Sequence, residues 1–472
     1  MESKKSVKRK VKSTANKSDG EWTKKSGWLC IDEKEKKRIF DFSKGYKEFL
    51  NSSKTEREAV NTILFRAKKA GFKELSSFNR LKKGDKVYYD YKGKALILAV
   101  IGDKPSFNII GAHIDSPRLD IKPFPLTQDC ELGLFKTHYY GGIKKYQWVN
   151  RPLAMHGVAL KKDGGKIEFS LGEREDEEVF IISDLLPHLS SKQLDKKADK
   201  VIEGENLQVI VGNIPIDLDN SKAIRRNVLK ILAKRYGLCE EDLCVSEICF
   251  VPNDKARDLG FDRSMICGYG QDDRICAYSS LVALLDSKVS QRINVALFVD
   301  KEEIGSVGNT SAQSAFIVHF ADKVCALMGS KITGAQALFE SEGISADVTG
   351  AIDPIYKEVH DSENASFIGR GVSIEKSGGA GGKYYSNDSN SEYFNKLRII
   401  FNKNKVLWQT GELGKVDEGG GGTIAMILAK HGIDIIDMGP PLLGMHSPCE
   451  ISSKFDLYQT YKGYKVFYDE NK

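Results

Sequence analysis

One short stretch constrains the fold of this chain more than any other: an apolar run that ends in two adjacent glutamates. Residues 294–299 (NVALFV) are almost wholly apolar, and residues 300–306 (DKEEIGS) follow them directly. Such a run predicts a strand buried on both faces of a parallel sheet, and α/β proteins place their ligand sites just beyond the carboxyl ends of these strands. Carboxylates are costly to bury there unless a cation offsets them, so Glu302 and Glu303 indicate either a solvated turn or a metal site.

Further apolar runs end in side chains of the same kind. They carry His113 with Asp115, Asp347, and His446. Another candidate, the pair Asp272 and Asp273, stands directly before a predicted helix and is equally consistent with a helix N-cap. Each residue alone has an ordinary structural role open to it, but their joint occurrence favours a metal site.

These side chains are the type that a pair of zinc ions requires. Two zinc ions about 3.5–4 Å apart need a mixed set of imidazoles and carboxylates, with one carboxylate bridging. Such a pair activates a water molecule and polarises a carbonyl oxygen, while a carboxylate that is not a ligand moves the proton. We therefore expect Glu302 and Glu303 to divide these roles, one facing the water and the other a metal.

The pattern changes twice along the 472 residues. Helix and strand signals alternate over residues 26–118 and again over 250–472, with helices predicted at 275–285 and 311–320. Residues 119–249 instead contain short β-like runs and turn signals, including a hairpin within 158–171. We therefore expect an α/β domain, built on a mixed, largely parallel sheet flanked by helices, with an inserted β-rich domain at 119–249.

Charge and cysteine usage exclude some classes of protein. Residues 1–25 carry nine Lys and Arg against three Asp and Glu, so they account for the whole net charge of +6. We expect a flexible basic tail there, and a neutral body that binds no nucleic acid. No apolar run is long enough for a membrane span. The nine cysteines form no C-x-x-C pair and no signal peptide opens the chain, which predicts a cytoplasmic protein with reduced thiols.

With these motifs in place, the chain resembles the aspartyl aminopeptidase and aminopeptidase I family of di-zinc metallo-exopeptidases. The resemblance rests on five motifs in family order: residues 111–117 (GAHIDSP), 271–274 (QDDR), 300–306 (DKEEIGS), 345–347 (SAD) and 444–447 (GMHS). It covers nearly the whole chain after the basic tail. The fold it implies is the di-zinc exopeptidase type.

The resemblance implies a metal-dependent aminopeptidase that removes single N-terminal residues from peptides, using a water molecule activated by two zinc ions per subunit. The implied ligands are His113 and Asp347 on one zinc, Glu303 and His446 on the other, and Asp272 as the bridge. Glu302 would be the general base, and Asp115 the carboxylate behind His113. Cobalt or manganese is an alternative to zinc.

The resemblance also implies partners and substrate contacts. The inserted β-rich domain corresponds to the dimerisation domain of the family, whose dimers assemble into a dodecamer, so we expect a homo-oligomer. Lys376 and His188 are the implied substrate-binding residues, the latter in a neighbouring subunit's site.

Two departures from the family pattern leave the substrate preference open, and two alternative activities remain beside the leading one. Gly350 and Asp353 stand where many relatives have histidines, so the preferred N-terminal residue is either acidic or neutral. A metal-dependent amidohydrolase or deacylase on the same scaffold is one alternative activity. A non-catalytic, metal-stabilised assembly protein is another, although the presence of Glu302 counts against it.

Overall fold

The computed structural model describes residue 22 and residues 25–217 and 222–470, so the predicted basic tail lies almost entirely outside the described residues. Its helices are α1 (Glu33–Asn51), α2 (Glu56–Lys69), α3 (Ser191–Leu194), α4 (Ala223–Tyr236), α5 (Glu240–Cys244), α6 (Gln271–Leu285), α7 (Phe316–Met328), α8 (Gly334–Phe339), α9 (Ser391–Lys403), α10 (Ala425–Leu428) and α11 (Lys454–Glu470). None of the described helices is long and apolar enough to cross a membrane.

The strands belong to three sheets. They are β1 (Lys73–Glu74), β2 (Lys86–Tyr91), β3 (Ala95–Val100), β4 (Phe107–His113), β5 (Arg118–Asp129), β6 (Leu132–Tyr140), β7 (Leu153–Leu160), β8 (Lys166–Leu171), β9 (Gln208–Gly212), β10 (Glu247–Pro252), β11 (Arg257–Leu259), β12 (Met265–Gly268), β13 (Ile293–Val299), β14 (Glu342–Ser345), β15 (Thr349–Gly350), β16 (Val372–Glu375), β17 (Trp408–Thr410), β18 (Asp434–Gly439), β19 (Pro441–Leu443) and β20 (Glu450–Ser453).

The largest sheet has nine strands in the order β1-β2-β3-β13-β4-β14-β18-β16-β17. The strands from β13 to β18 run parallel to one another, whereas β3 and β16 pair antiparallel with their neighbours in this central block. The expected mixed, largely parallel sheet of an α/β protein is therefore confirmed.

Two apolar layers cover the faces of this sheet, which explains the unbroken apolar runs in the sequence. Along β13, Ala296 and Phe298 pack into one layer with α6 and α11, while Val295 and Leu297 pack into the other with α7. Every residue of β13 is buried. A strand covered by helices on both faces has no solvent side on which a polar residue is favoured.

A second, six-stranded sheet is formed by the chain between β5 and β10, in the order β8-β7-β10-β5-β6-β9. All its pairings are antiparallel, and β7 and β8 form the hairpin expected within 158–171. This sheet has its own apolar cluster, which includes Leu119, Trp148 and Phe250. The third sheet, β11-β12-β20-β19-β15, lies in the carboxyl-terminal part of the chain and carries the loop with His446.

Candidate metal centre

The order of the strands explains why distant acidic residues meet. β13, β4 and β14 are consecutive and parallel in the nine-stranded sheet, so their carboxyl ends share one edge. His113 is the last residue of β4, and Asp347 follows β14 by two positions. Glu302 and Glu303 occupy a single 3₁₀ turn, Glu302–Ile304, just after β13. Parallel strands therefore deliver three of the predicted segments to one place.

The start of α6 and the loop between β19 and β20 contribute the other two side chains of the cluster. Asp272 lies at the start of α6, where its backbone is not yet helical. His446 lies in the loop between β19 and β20, with a φ of 63°. Asp272 is therefore not merely a helix cap, because its side chain reaches both imidazoles.

Asp272 stands between the two histidines and uses a different oxygen for each. Its Oδ1 lies 3.1 Å from His113 Nε2, and its Oδ2 lies 3.1 Å from His446 Nε2. Glu303 Oε2 is 3.5 Å from the same nitrogen of His446. Asp347 Oδ1 and Glu302 Oε2 are each 3.9 Å from His113 Nε2. This is the arrangement that a bridging carboxylate between two cations requires.

Burial makes the charges of this cluster costly. The Asp272 and His113 side chains are almost completely covered, and the Glu303 side chain is only 2% exposed. Burial raises the pKa of Glu303 and of Asp347 well above the usual values, and neighbouring carboxylates add to this effect. Burial likewise raises the pKa of Glu302, to about 7. The acidic groups therefore favour their protonated forms unless a cation offsets their charge.

The pKa values of the two imidazoles are raised as well, so these groups favour their charged forms. Burial lowers the pKa of His446, but its hydrogen bond to Asp272 and the surrounding carboxylates outweigh that effect and raise the pKa to about 10. Burial also disfavours charge on His113, where hydrogen bonds with Asp115 and Asp272 again dominate and raise the pKa well above its usual value. In Asp272, the hydrogen bonds with the two histidines outweigh burial and lower the pKa.

The donor set fits zinc. Ligand atoms of His113, Asp272 and Glu303 lie within 4.8 Å of one another, and so do those of His113, Asp273 and Asp347. Glu303 Oε1 is buried and has no hydrogen-bond partner among the described residues. Nitrogen and carboxylate oxygen ligands in this combination are typical of zinc, and a cation would satisfy the orphaned oxygen.

Asp115 contacts both His113 and the turn that carries Glu302 and Glu303. It is fully buried, and its Oδ1 lies 3.4 Å from His113 Nδ1. The same nitrogen also lies 3.2 Å from the backbone carbonyl oxygen of Asp115. The same carboxylate accepts hydrogen bonds from the backbone N–H groups of Glu302 and Glu303, both at 3.2 Å. Its position therefore fixes one imidazole and the glutamate turn at once.

Glu450 has a comparable function that the sequence did not suggest. This buried carboxylate accepts the backbone N–H of His446 at 2.8 Å, that of Asp272 at 3.2 Å and that of Gln271 at 2.5 Å. It thus links the His446 loop to the start of α6. No local motif marks this role, because two of the three contacts join residues almost 180 positions apart.

Among the described residues, no hydrogen bond or ion pair joins the side chain of either predicted substrate contact to this cluster. Lys376 directly follows β16 and is exposed. His188 is exposed in the 3₁₀ turn Pro187–Leu189 of the predicted inserted domain. Their roles stay predictions.

The chain is similar to known proteins over most of its length. Residues 49–468 match the family described as "Aminopeptidase I zinc metalloprotease (M18)". A Clostridium acetobutylicum protein named "Probable M18 family aminopeptidase 1" is 48% identical over 453 residues, covering 94% of this chain and 97% of that protein. The crystal structure of an M18-family aminopeptidase from Thermotoga maritima matches with a TM-score of 0.92 at 45% identity, covering 95% of this chain and 100% of that one.

A more distant match is the dodecamer of mApe1 from S. cerevisiae. It has a TM-score of 0.72 and 19% identity, covering 91% of this chain and 98% of that one. At this identity the likeness concerns the fold alone.

Proposed function

Because the chain belongs to the aminopeptidase I zinc metalloprotease family (M18), and is therefore a zinc metalloprotease of the aminopeptidase type, we propose that it removes single N-terminal residues from peptides at a centre of two zinc ions. The family expected from the five motifs is thereby confirmed. The two alternative activities, a non-catalytic assembly protein and a deacylase, are less well supported, since the family is one of aminopeptidases.

The position of Asp272 carries the proposal of two ions. One carboxylate whose two oxygens contact two different imidazoles, at 3.1 Å each, supports one zinc on either side of it. In the proposed assignment, His113 and Asp347 hold one ion, His446 and Glu303 hold the other, and Asp272 contributes to both. The Asp273 Oδ atoms, beside His113 and Asp347, are buried without a hydrogen-bond partner among the described residues, and burial raises the pKa of this carboxyl well above its usual value. Like Glu303, it therefore favours its protonated form unless a cation offsets its charge.

Glu302 is the proposed general base. Bound zinc ions supply Lewis acidity at the substrate carbonyl and lower the pKa of a water molecule. The Glu302 side chain is 17% exposed, more open than that of Glu303, and lies at the edge of the cluster. This position suits its carboxylate to accept a proton from a water molecule at the centre and to return it to the leaving amine.

The experiment that tests this division of roles compares two neighbouring variants. Glu302→Gln should keep both zinc ions, by elemental analysis of the purified protein, while hydrolysis of aminoacyl-reporter substrates falls by about 10²-fold or more. Glu303→Gln serves as the matched control and should lose zinc instead. Near-normal hydrolysis by Glu302→Gln would remove the base assignment, and full zinc retention by Glu303→Gln would remove that residue from the ligands.

Substrate preference and the working metal need a separate measurement. We propose an acidic or neutral N-terminal residue, with Lys376 and a neighbouring subunit's His188 as contacts to the substrate. Rates on Asp, Glu, Leu, Met and Lys reporters, measured with zinc, cobalt and manganese in turn, identify both. A preference for Lys would contradict the proposal.

Homo-oligomerisation is proposed through the six-stranded sheet. The chain between β5 and β10 exposes several large apolar side chains, namely Val179, Leu185, Leu186, Leu189 and Ile214. Four of them lie within residues 179–189, and exposed apolar side chains that form one patch are typical of an interface between subunits. We propose that residues 119–249 form a dimerisation domain and that dimers assemble into a dodecamer, which sedimentation velocity would test directly. A monomer at micromolar concentration would contradict it.

A further inference from the structure

Residues 140–142, at the end of β6, belong to the proposed dimerisation domain and yet reach the metal centre. β6 pairs antiparallel with β5, and Tyr140 stands opposite Arg118 at the start of β5. Since β5 begins five positions after His113, the end of β6 returns to the edge of the main sheet where the cluster lies. Gly141 and Gly142 follow immediately.

The first contact runs through Asp115. The Tyr140 hydroxyl donates a hydrogen bond of 2.8 Å to Asp115 Oδ2. That carboxylate contacts His113 Nδ1 on its other oxygen and accepts the backbone N–H groups of Glu302 and Glu303. One phenol therefore restrains a carboxylate that holds the glutamate turn and that, together with the Asp115 carbonyl oxygen, faces Nδ1 of the imidazole.

The ring of Tyr140 is itself held in place. The Arg118 guanidinium lies 4.2 Å from the ring centroid, and Arg118 Nη1 is 2.8 Å from Glu56 Oε2. Glu56 is buried in the first turn of α2 and also pairs with Lys94 at 3.1 Å. Arg118 Nε also donates a hydrogen bond of 2.7 Å to Asp120 Oδ1. Because two carboxylates anchor the cation beneath the ring, the hydroxyl has little freedom to leave Asp115.

The second contact is direct. His446 Nδ1 lies 2.9 Å from the carbonyl oxygen of Gly142. A carbonyl only accepts, so Nδ1 must carry a proton, and Nε2 is left facing Asp272 and Glu303. Gly141 permits this close approach: its φ is +75°, and a Cβ there would lie 3.2 Å from Glu303 Oε2.

We propose that residues 140–142 position both imidazoles of the metal centre, Tyr140 through Asp115 and Gly142 directly. The inference rests on the proposed function, because only there are His113 and His446 zinc ligands. Partners of this kind set the tautomer and ring orientation of a ligand histidine, and their loss costs roughly 10–100-fold in metal affinity. Tyr140 touches no substrate and is a positioning residue.

Tyr140→Phe tests this, because it removes the hydroxyl and keeps the ring over Arg118. The variant should bind zinc at least about tenfold more weakly than the wild type in a competition titration with a chromophoric chelator. The visible spectrum of the cobalt-loaded variant should also differ from that of the cobalt-loaded wild type, since the imidazole geometry changes.

Tyr139→Phe is the matched control. Tyr139 is 41% exposed on the opposite face of β6, where its ring lies beside His138 and the Lys145 ammonium. It should keep the zinc affinity and cobalt spectrum of the wild type. The melting temperatures of the metal-free wild type and both variants should be similar, because a positioning role concerns the metal and not the fold.

Each other outcome overturns the inference. Wild-type zinc affinity in Tyr140→Phe, or an equal loss in Tyr139→Phe, removes the positioning role. A metal-free Tyr140→Phe that melts far below the wild type or does not fold makes the hydroxyl structural instead. Failure of the proposed function is distinguishable, because in that case the wild type itself binds no zinc.

Discussion

At the scale of single residues, the metal centre is a set of groups whose pKa values depend on one another. Asp272 is stabilised as an anion by two imidazoles, while Glu303 and Asp347 are pushed towards protonation by burial. These opposed shifts are typical of functional sites, where a fold brings charges together at a cost to its stability. Without a cation, the cluster holds protons that a bound cation must displace.

Zinc binding should therefore release protons, and apparent zinc affinity should rise with pH. Although burial lowers the pKa of metal-free His446, its acidic neighbours outweigh burial and raise that pKa to about 10, so this imidazole is protonated at pH 7 and must lose a proton to bind zinc. Affinity should rise about tenfold per pH unit for each proton displaced, up to the pKa of that group.

Isothermal titration calorimetry at pH 7, in buffers of different ionisation enthalpy, counts the protons. His446→Ala should release fewer protons and bind less zinc. His431→Ala is the control, since that histidine ends the short helical segment after α10, away from the cluster. A wild-type protein that binds zinc without net proton release would contradict the pKa directions given above.

At the scale of elements, a local capping motif marks the start of α2. Thr55 accepts the N–H of Glu58 while the Glu58 carboxylate accepts the N–H of Thr55, which closes a capping box at the start of α2. This signal is fully local, and the helix was predictable from the sequence.

Thr55→Ala should lower the free energy of unfolding by about 1 kcal/mol, because it removes the side-chain oxygen that satisfies an N–H of the first turn. Urea unfolding of the metal-free protein, followed by circular dichroism, measures the change. Thr55→Ser keeps the capping oxygen and should remain close to the wild type. An equal loss in both variants would show that the methyl group, and not the cap, stabilises the helix.

The helix expected at residues 311–320 instead begins at Phe316. Ser311 donates its hydroxyl to the carbonyl oxygens of Ser306 and Gly308, which stabilises a compact turn in place of the first helical turn. Side chains of this type compete with helix formation wherever the chain can fold back on itself. That outcome depends on the path of the loop after Glu303, which periodicity does not encode.

Sequence periodicity also predicted only part of the metal centre. The strand-end positions of His113, Glu302 and Asp347 follow from apolar runs in a parallel sheet, so the sequence could bring them together. Tyr140 and Glu450 act across sheets, through contacts that no repeat or local motif marks. Periodicity predicts which residues lie at the edge of a sheet, but it does not predict what another part of the chain places against them.

At the scale of the whole molecule, zinc should stabilise the fold by mass action. A ligand that binds only the folded state adds about 2.7 kcal/mol at a free concentration of 100 times its dissociation constant. The protein freed of metal by a chelator should therefore melt at a lower temperature, and the melting temperature should rise with added zinc. Differential scanning calorimetry measures both.

Glu302→Gln should respond to zinc as the wild type does, because Glu302 is proposed as a base and not a ligand. His446→Ala should respond less. A wild-type melting temperature that is independent of zinc would contradict a metal centre held by the folded chain.

The two connections of the six-stranded sheet to the rest of the molecule lie side by side, since Cys249 of β10 pairs with Asp120 of β5. Because the chain enters and leaves the six-stranded sheet at neighbouring positions, residues 119–249 can be exchanged between homologues as one segment. In this protein the exchanged segment includes Tyr140 and Gly142. A chimera that swaps this unit for a distant homologue's therefore inherits part of the donor's metal environment along with the donor's assembly surface.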